Sequence, residues 1–190
     1  MLKTKVLLTG NFGVGKTSLF QQFILSKFDE RYLTTIGVKV DKKQVEISEG
    51  IVQIFLWDVA GEVSQDKVPI SYFLGAHGII YVFDLTRPLT YQKLESDINY
   101  LKKLAPKAII KIVGNKKDLV TDEQSYRGSL LYYPSAEYRW ISLTTSRPIS
   151  QVDIQVYWKS KIGKLIPFTL PSGGACSLKI LFKKKQFSKT

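Results

Sequence analysis

The chain has 190 residues, 44% of them hydrophobic and 23% charged, with a net charge of +12 and a single cysteine. That is enough for one domain with a real core. No apolar run reaches the roughly 18–20 residues that cross a bilayer, and Met1–Thr9 is too short to hold a signal peptide ahead of the first motif. Cys176 has no partner for an intrachain disulfide, so a reducing, cytoplasmic location is expected.

The elements follow in chain order. Lys5–Thr9 is a short apolar run ending at Gly10, which predicts a buried strand. Gly10-Asn11-Phe12-Gly13-Val14-Gly15-Lys16-Thr17 then fits the pattern G-x-x-x-x-G-K-[ST], and a helix is predicted over Lys16–Leu25. In that pattern the glycines let backbone N–H groups turn inward as an anion nest, reinforced by the helix N-terminus. Lys16 reaches the outer phosphates of a nucleoside triphosphate and Thr17 gives its hydroxyl to Mg²⁺. Phe28–Gly37 reads as a loop. Val38–Ser48 and Ile51–Trp57, joined by the turn pair Glu49-Gly50, predict an antiparallel hairpin. Gly78–Asp84 and Ile109–Gly114 are continuous apolar runs, predicted as buried strands. Between them, Leu94, Ile98, Leu101 and Leu104 place a helix over Tyr91–Leu104. His77 and Trp57 read as structural.

Alternating strands and helices imply an α/β fold: a three-layer P-loop arrangement with a mostly parallel sheet, one antiparallel hairpin strand and helices on both faces. Asn115-Lys116-Lys117-Asp118 closes the 109–114 strand on the same edge as the phosphate loop. An ionised Asp118 can accept hydrogen bonds from the guanine N1–H and exocyclic amine. Adenine lacks that donor pair and would leave the carboxylate unpaired.

With these motifs in place the chain resembles the small GTPases of the Ras superfamily, and most of all the Rab branch. The resemblance runs from about Lys3 to Leu119. It includes Phe28-x-x-x-Tyr32-x-x-Thr35-Ile36-Gly37, Trp57-Asp58-Val59-Ala60-Gly61-Glu62 and Tyr72-Phe73-Leu74-Gly75-Ala76-His77-Gly78-Ile79-Ile80. It implies a GTP/GDP site built from Gly13, Val14, Gly15, Lys16, Thr17, Ser18, Phe28, Tyr32, Thr35, Gly61, Asn115, Lys116 and Asp118. Mg²⁺ is expected on Thr17, Thr35 and Asp58, and hydrolysis is expected to involve Lys16, Thr35, Gly61 and Glu62. Segments 28–38 and 59–73 become two switches that meet effector, exchange-factor or activator proteins. A monomer is expected, with no nucleic-acid partner.

The chain departs from the family at three places. Glu62 stands where a Gln usually orients the attacking water, and Phe12 where the family has Gly or another small residue. Both predict slow turnover, with a scaffold that binds GTP without hydrolysing it as the alternative. Thirdly, the resemblance fades after about residue 122. Ser142-Leu143-Thr144 is the nearest counterpart of the family's base-contacting Ser-Ala-Lys loop. Ser125–Tyr138 holds Gly128, Pro134 and few helix formers, and Gln151–Ile162 is a moderate helix candidate. Residues 124–190 hold eleven Lys/Arg against Glu137 and Asp153, whereas residues 1–123 hold 17 against 14. A divergent tail and a reading frame shifted near Gln124 both account for the break. The expected layout is a GTPase domain over 1–164 and a basic, flexible tail over 165–190. Lys179, Lys183-Lys184-Lys185 and Lys189 in that tail could meet an anionic membrane surface.

Overall fold

The computed structural model describes residues 2–25, 35–47, 50–62, 65–120, 140–142, 155–159 and 165–169. Its strands are β1 (Leu2–Thr9), β2 (Val38–Ile47), β3 (Gly50–Val59), β4 (Gly78–Asp84), β5 (Ile109–Asn115), β6 (Trp140–Ser142), β7 (Gln155–Lys159) and β8 (Leu165–Thr169). They form one eight-stranded sheet in the order β2-β3-β1-β4-β5-β6-β7-β8. The pairs β3-β1, β1-β4, β4-β5 and β5-β6 are parallel, in keeping with the mostly parallel sheet that alternating strands and helices imply. The hairpin β2-β3 is antiparallel in full register from Val38↔Val59 to Ile47↔Gly50.

Helices α1 (Lys16–Leu25) and α2 (Leu94–Leu104) cover opposite faces. Side chains alternate across a strand, so β1 sends Val6 and Leu8 to one core and Leu7 to the other. Val6 and Leu8 meet Phe20 and Phe23 of α1, while Leu7, Ile79, Tyr81 and Phe83 meet Leu94, Ile98 and Leu101 of α2. The α2 stripe follows helical spacing. Acidic Glu95 and Asp97 open that helix and Lys102 and Lys103 close it, matching its dipole. Each fully buried Leu, Ile or Phe contributes about 1.5–3 kcal/mol, and Phe20→Ala would cost about 3–5 kcal/mol through the cavity it leaves. Tyr81 sits at 0% exposure and satisfies its hydroxyl by donating to Asp97 Oδ2 at 2.6 Å.

Two expectations change. Gln151–Ile162 is not a helix where it is described, because Gln155–Lys159 is strand β7, antiparallel to β6 and β8. Val156, Tyr157 and Trp158 suit a pleated surface better than a helix. The mostly parallel sheet has further antiparallel pairs at its far end, β6-β7 and β7-β8. Leu165–Thr169, at the start of the expected tail, forms β8. Ser125–Tyr138 and residues 170–190 lie outside the described residues.

The strand order positions the site. Going from β1 to β3 moves the chain one way across the sheet, and going on to β4 moves it the other way. This makes the carboxyl end of β1 a switch point, where open α/β sheets bind ligands. Register aligns Leu8 with Asp58, Asp84 with Asn115 and Gly114 with Ser142. Parallel strands thus bring Gly10, Asp58, Asp84, Asn115 and Ser142 to one edge.

Candidate functional site: a phosphate loop and its two walls

The loop between β1 and α1 holds Gly10, Gly13 and Gly15 at φ 135°, 70° and 94°. Glycine takes such angles most readily, and at Gly10 and Gly15 any side chain would be strained. Space is equally tight: a Cβ on Gly10 would run into the Val82 carbonyl, and one on Gly15 into the Asn115 amide. Lys16 lies at 5% exposure inside the loop and donates to Gly10 O at 3.0 Å and Asn11 O at 2.9 Å. Burial pulls its pKa down to about 8, against the nearby Asp58 carboxylate, which raises it. An anion facing this ammonium would raise that value again. Ser18 follows in the first turn of α1.

One wall is made of Asn115-Lys116-Lys117-Asp118, the segment expected to read the base. Asn115 is fully buried and donates its Nδ2 to Val14 O at 2.8 Å. Lys116 takes a left-handed φ of 63°, and its Nζ reaches Gly13 O at 2.9 Å. Asp118 follows in a 3-10 turn, Lys117–Leu119, and is exposed. Ser142 ends β6 beside Gly114. Leu143, Phe28 and Tyr32 lie outside the described residues.

The other wall gathers Thr17, Thr35 and Asp58. Thr17 Oγ1 donates to Asp58 Oδ2 at 2.6 Å and lies 2.7 Å from Thr35 Oγ1, which is 3.5 Å from the same carboxylate oxygen. Asp58 is 0% exposed and its Oδ1 has no hydrogen-bond partner. Burial pushes its pKa up, opposed by the Thr17 hydroxyl and by Lys16. Two hydroxyls and a buried carboxylate with a free oxygen are all hard oxygen donors, the set that suits Mg²⁺. Ala60 N donates to Gly37 O at 2.8 Å and so joins the two predicted switch segments. Gly61 packs so closely that a Cβ there would stand 2.6 Å from both Phe12 Cα and Lys16 Nζ. Glu62 is close enough to Lys16 for its charge to favour the ammonium. Phe12 stands on the rim, 47% exposed.

His77 is structural, as expected: its Nδ1 accepts from Lys5 N at 3.1 Å. Trp57 is partly buried, with Lys5 Nζ 3.9 Å from its ring centroid. The motifs alone do not reveal Asp84. Its carboxylate is 0% exposed and accepts from Thr86 N (2.9 Å), Thr86 Oγ1 (2.6 Å), Arg87 Nε (2.8 Å) and Lys116 Nζ (2.8 Å). Burial alone would raise its pKa, but these donors outweigh burial and hold it below the usual carboxylate value. An Asp closing an otherwise apolar strand was the available signal. Thr9 and Gln65 are a second omission, a buried pair at 2.5 Å that ties the 59–73 segment beneath the loop.

A doubly covered parallel sheet with this loop at its switch point defines a P-loop nucleotide-site protein. A family model described as Ras family matches residues 5–149, and the chain belongs to that family. The match continues beyond Leu119 through β6. The chain is 36% identical over 117 residues to Ras-related protein Rab-1A of Dictyostelium discoideum, covering 61% of this chain and 58% of that protein. It is 39% identical over 121 residues to Ras-related protein Rab-4A of Bos taurus, covering 63% and 56%. The chain thus spans less than three fifths of either curated relative.

Proposed function

We propose that this protein is a guanine-nucleotide switch that binds GTP and GDP with Mg²⁺ and hydrolyses GTP slowly. The observation that carries this reading is the direct bonding of the two motifs. Asn115 and Lys116 hold the carbonyls of Val14 and Gly13, so the base-reading segment and the phosphate loop form one rigid unit. Asp118 selects guanine by accepting from its N1–H and amine. The loop N–H groups and Lys16 take the phosphates. Ser142 and Leu143 would offer backbone contact to the guanine oxygen, and Phe28 and Tyr32 would flank base and phosphates.

Thr17, Thr35 and Asp58 would hold Mg²⁺, which supplies charge neutralisation on the outer phosphates when bound. For hydrolysis, Lys16 and the Gly61 N–H stabilise charge on the γ-phosphate while Glu62 orients water as a proton acceptor. Glu62 offers no amide donor, and its charge opposes the phosphate. Phe12 narrows the approach of an activator's arginine. Both slow the reaction. Segments 28–38 and 59–73 present the nucleotide-dependent surface to effectors, exchange factors and activators. The basic stretch around Lys183–Lys185 serves peripheral membrane contact for a protein otherwise cytoplasmic and monomeric. Among the described residues no helix is long and apolar enough to cross a membrane.

A second reading, a scaffold that binds GTP without turnover, is favoured by the same two residues, Phe12 and Glu62. Phosphate release in a single turnover decides between them. Slow release accelerated by Phe12→Gly supports the switch. No release from the parent or from Phe12→Gly, with GTP still bound, supports the scaffold.

A further inference from the structure

Three consecutive carbonyls of the phosphate loop are gripped by side-chain cations or amides. Val14 O accepts from Asn115 Nδ2 at 2.8 Å, Gly13 O from Lys116 Nζ at 2.9 Å and Phe12 O from Arg87 Nη2 at 2.8 Å. In a trans peptide the carbonyl and the next N–H point opposite ways, and no cis peptide occurs among the described residues. Holding these carbonyls therefore turns the N–H groups of Gly13, Val14 and Gly15 away from the three gripping side chains. Asn115 and Lys116 already belong to the base-reading wall. Arg87 belongs to no motif.

Arg87 is well placed to hold the first of these peptides. Gly13, at φ 70°, is free enough for the 12–13 peptide to flip. The rigid guanidinium fork spans two acceptors, with Nε on Asp84 Oδ2 at 2.8 Å and Nη2 on Phe12 O. Asp84 is fully buried and fixed by Thr86 and Lys116. Pro88 keeps Arg87 extended, at φ −126° and ψ 93°. One carboxylate oxygen, Asp84 Oδ2, thus joins the cations that hold Phe12 O and Gly13 O.

We propose that Arg87 is a positioning residue for the nucleotide phosphates: anchored on Asp84, it locks the 12–13 peptide with the Gly13 N–H facing the bound phosphate. This rests on the guanine-nucleotide reading above. It assigns to the turn after β4 a part in nucleotide retention.

The test compares the parent with Arg87→Met and Arg87→Lys. Release of fluorescent GDP at fixed Mg²⁺ is measured together with the ³¹P spectrum of bound GDP. Arg87→Met is expected to release GDP roughly 10–100-fold faster, as loss of one charged hydrogen bond implies. It should also move a phosphorus resonance and leave the preference for GDP over ADP unchanged. Arg87→Lys, which can reach only one of the two acceptors, should fall between. Release within twofold of the parent with an unmoved ³¹P spectrum overturns the proposal. If Arg87→Met does not fold, the same two readouts on Arg87→Lys decide it, and parent-like values overturn it. A parent that binds no GDP overturns the nucleotide reading and this inference together. A parent that binds GDP, with unaltered variants, overturns this inference alone.

Discussion

The two walls of the pocket are built differently. On the base side, Phe12, Gly13 and Val14 each have their carbonyl held and the Asp84 carboxylate accepts four hydrogen bonds, while Asn115 Oδ1 is buried without a partner. On the Thr17 side, three groups mainly hold one another, Asp58 Oδ1 and Gln65 Nε2 are buried without partners, and Ile36 is 92% exposed. The wall with more of its polar groups bonded is the stiffer, and the one with fewer is the freer to rearrange. On the proposed reading, the first wall meets the base and the phosphates that every bound nucleotide shares. The second would be completed by a cation and a further phosphate. That asymmetry is what a switch requires: constant grip on one side, state-dependent order on the other.

The largest effect should come from the preformed wall. Asp118→Ala removes two charged hydrogen bonds to the base, at about 1.5–3 kcal/mol each. Guanine-nucleotide affinity should fall on the order of 10²–10⁴-fold in a GDP titration, with the preference over ADP lost. Asp84→Ala tests the same wall through stability. Removing a buried carboxylate that serves two cations costs about 3–5 kcal/mol. The partial exposure of Arg87 and Lys116 places it toward the low end in a urea melt.

Asp84 also carries a pH signature. Its folded pKa lies below the unfolded value, so its contribution is fully present above about pH 4 and is lost as pH falls through the lower, folded value. The stability gap between parent and Asp84→Asn should hold steady above that pH and close below it. A gap that persists through acid would separate Asp84 from the clamp.

Smaller effects belong to the other wall. Asp58→Asn should weaken Mg²⁺ binding by roughly 10–100-fold. It should also make GDP release nearly insensitive to a chelator, while the Asp118-dependent base preference survives. Smallest is Glu62→Gln, which restores an amide donor beside the γ-phosphate. It should raise single-turnover hydrolysis by about tenfold, well under the full range for a positioned proton-transfer group, with GTP affinity unchanged. A large change in affinity would mean that Glu62 belongs to the binding wall instead.

Much of this was legible in the residues because it is local. The phosphate loop and Asn115-Lys116-Lys117-Asp118 are contiguous, and their chemistry follows from spacing. The apolar runs at 78–84 and 109–114 could only be buried strands. Thr35 and Asp58 came from resemblance, and the fold brings their side chains together across residues 35 to 58. Asp84 had a signal in closing an apolar strand, but its role and that of Arg87 were not legible, because their partners, Lys116 and Phe12, meet them only once β1, β4 and β5 align in register. Gln155–Lys159 was misread because its neighbours mix β-branched residues with helical spacing. Pairing with β6 and β8, a long-range effect, decides it.

The most direct test of the preformed guanine wall is competition of GDP and ADP for the purified protein, with and without Mg²⁺. GDP should displace a bound fluorescent guanine nucleotide roughly 10³-fold or more better than ADP, as a site that pairs both guanine donors allows. That ratio should survive removal of Mg²⁺ even as both affinities fall. Equal competition by ADP, or a preference that vanishes with the metal, would contradict it.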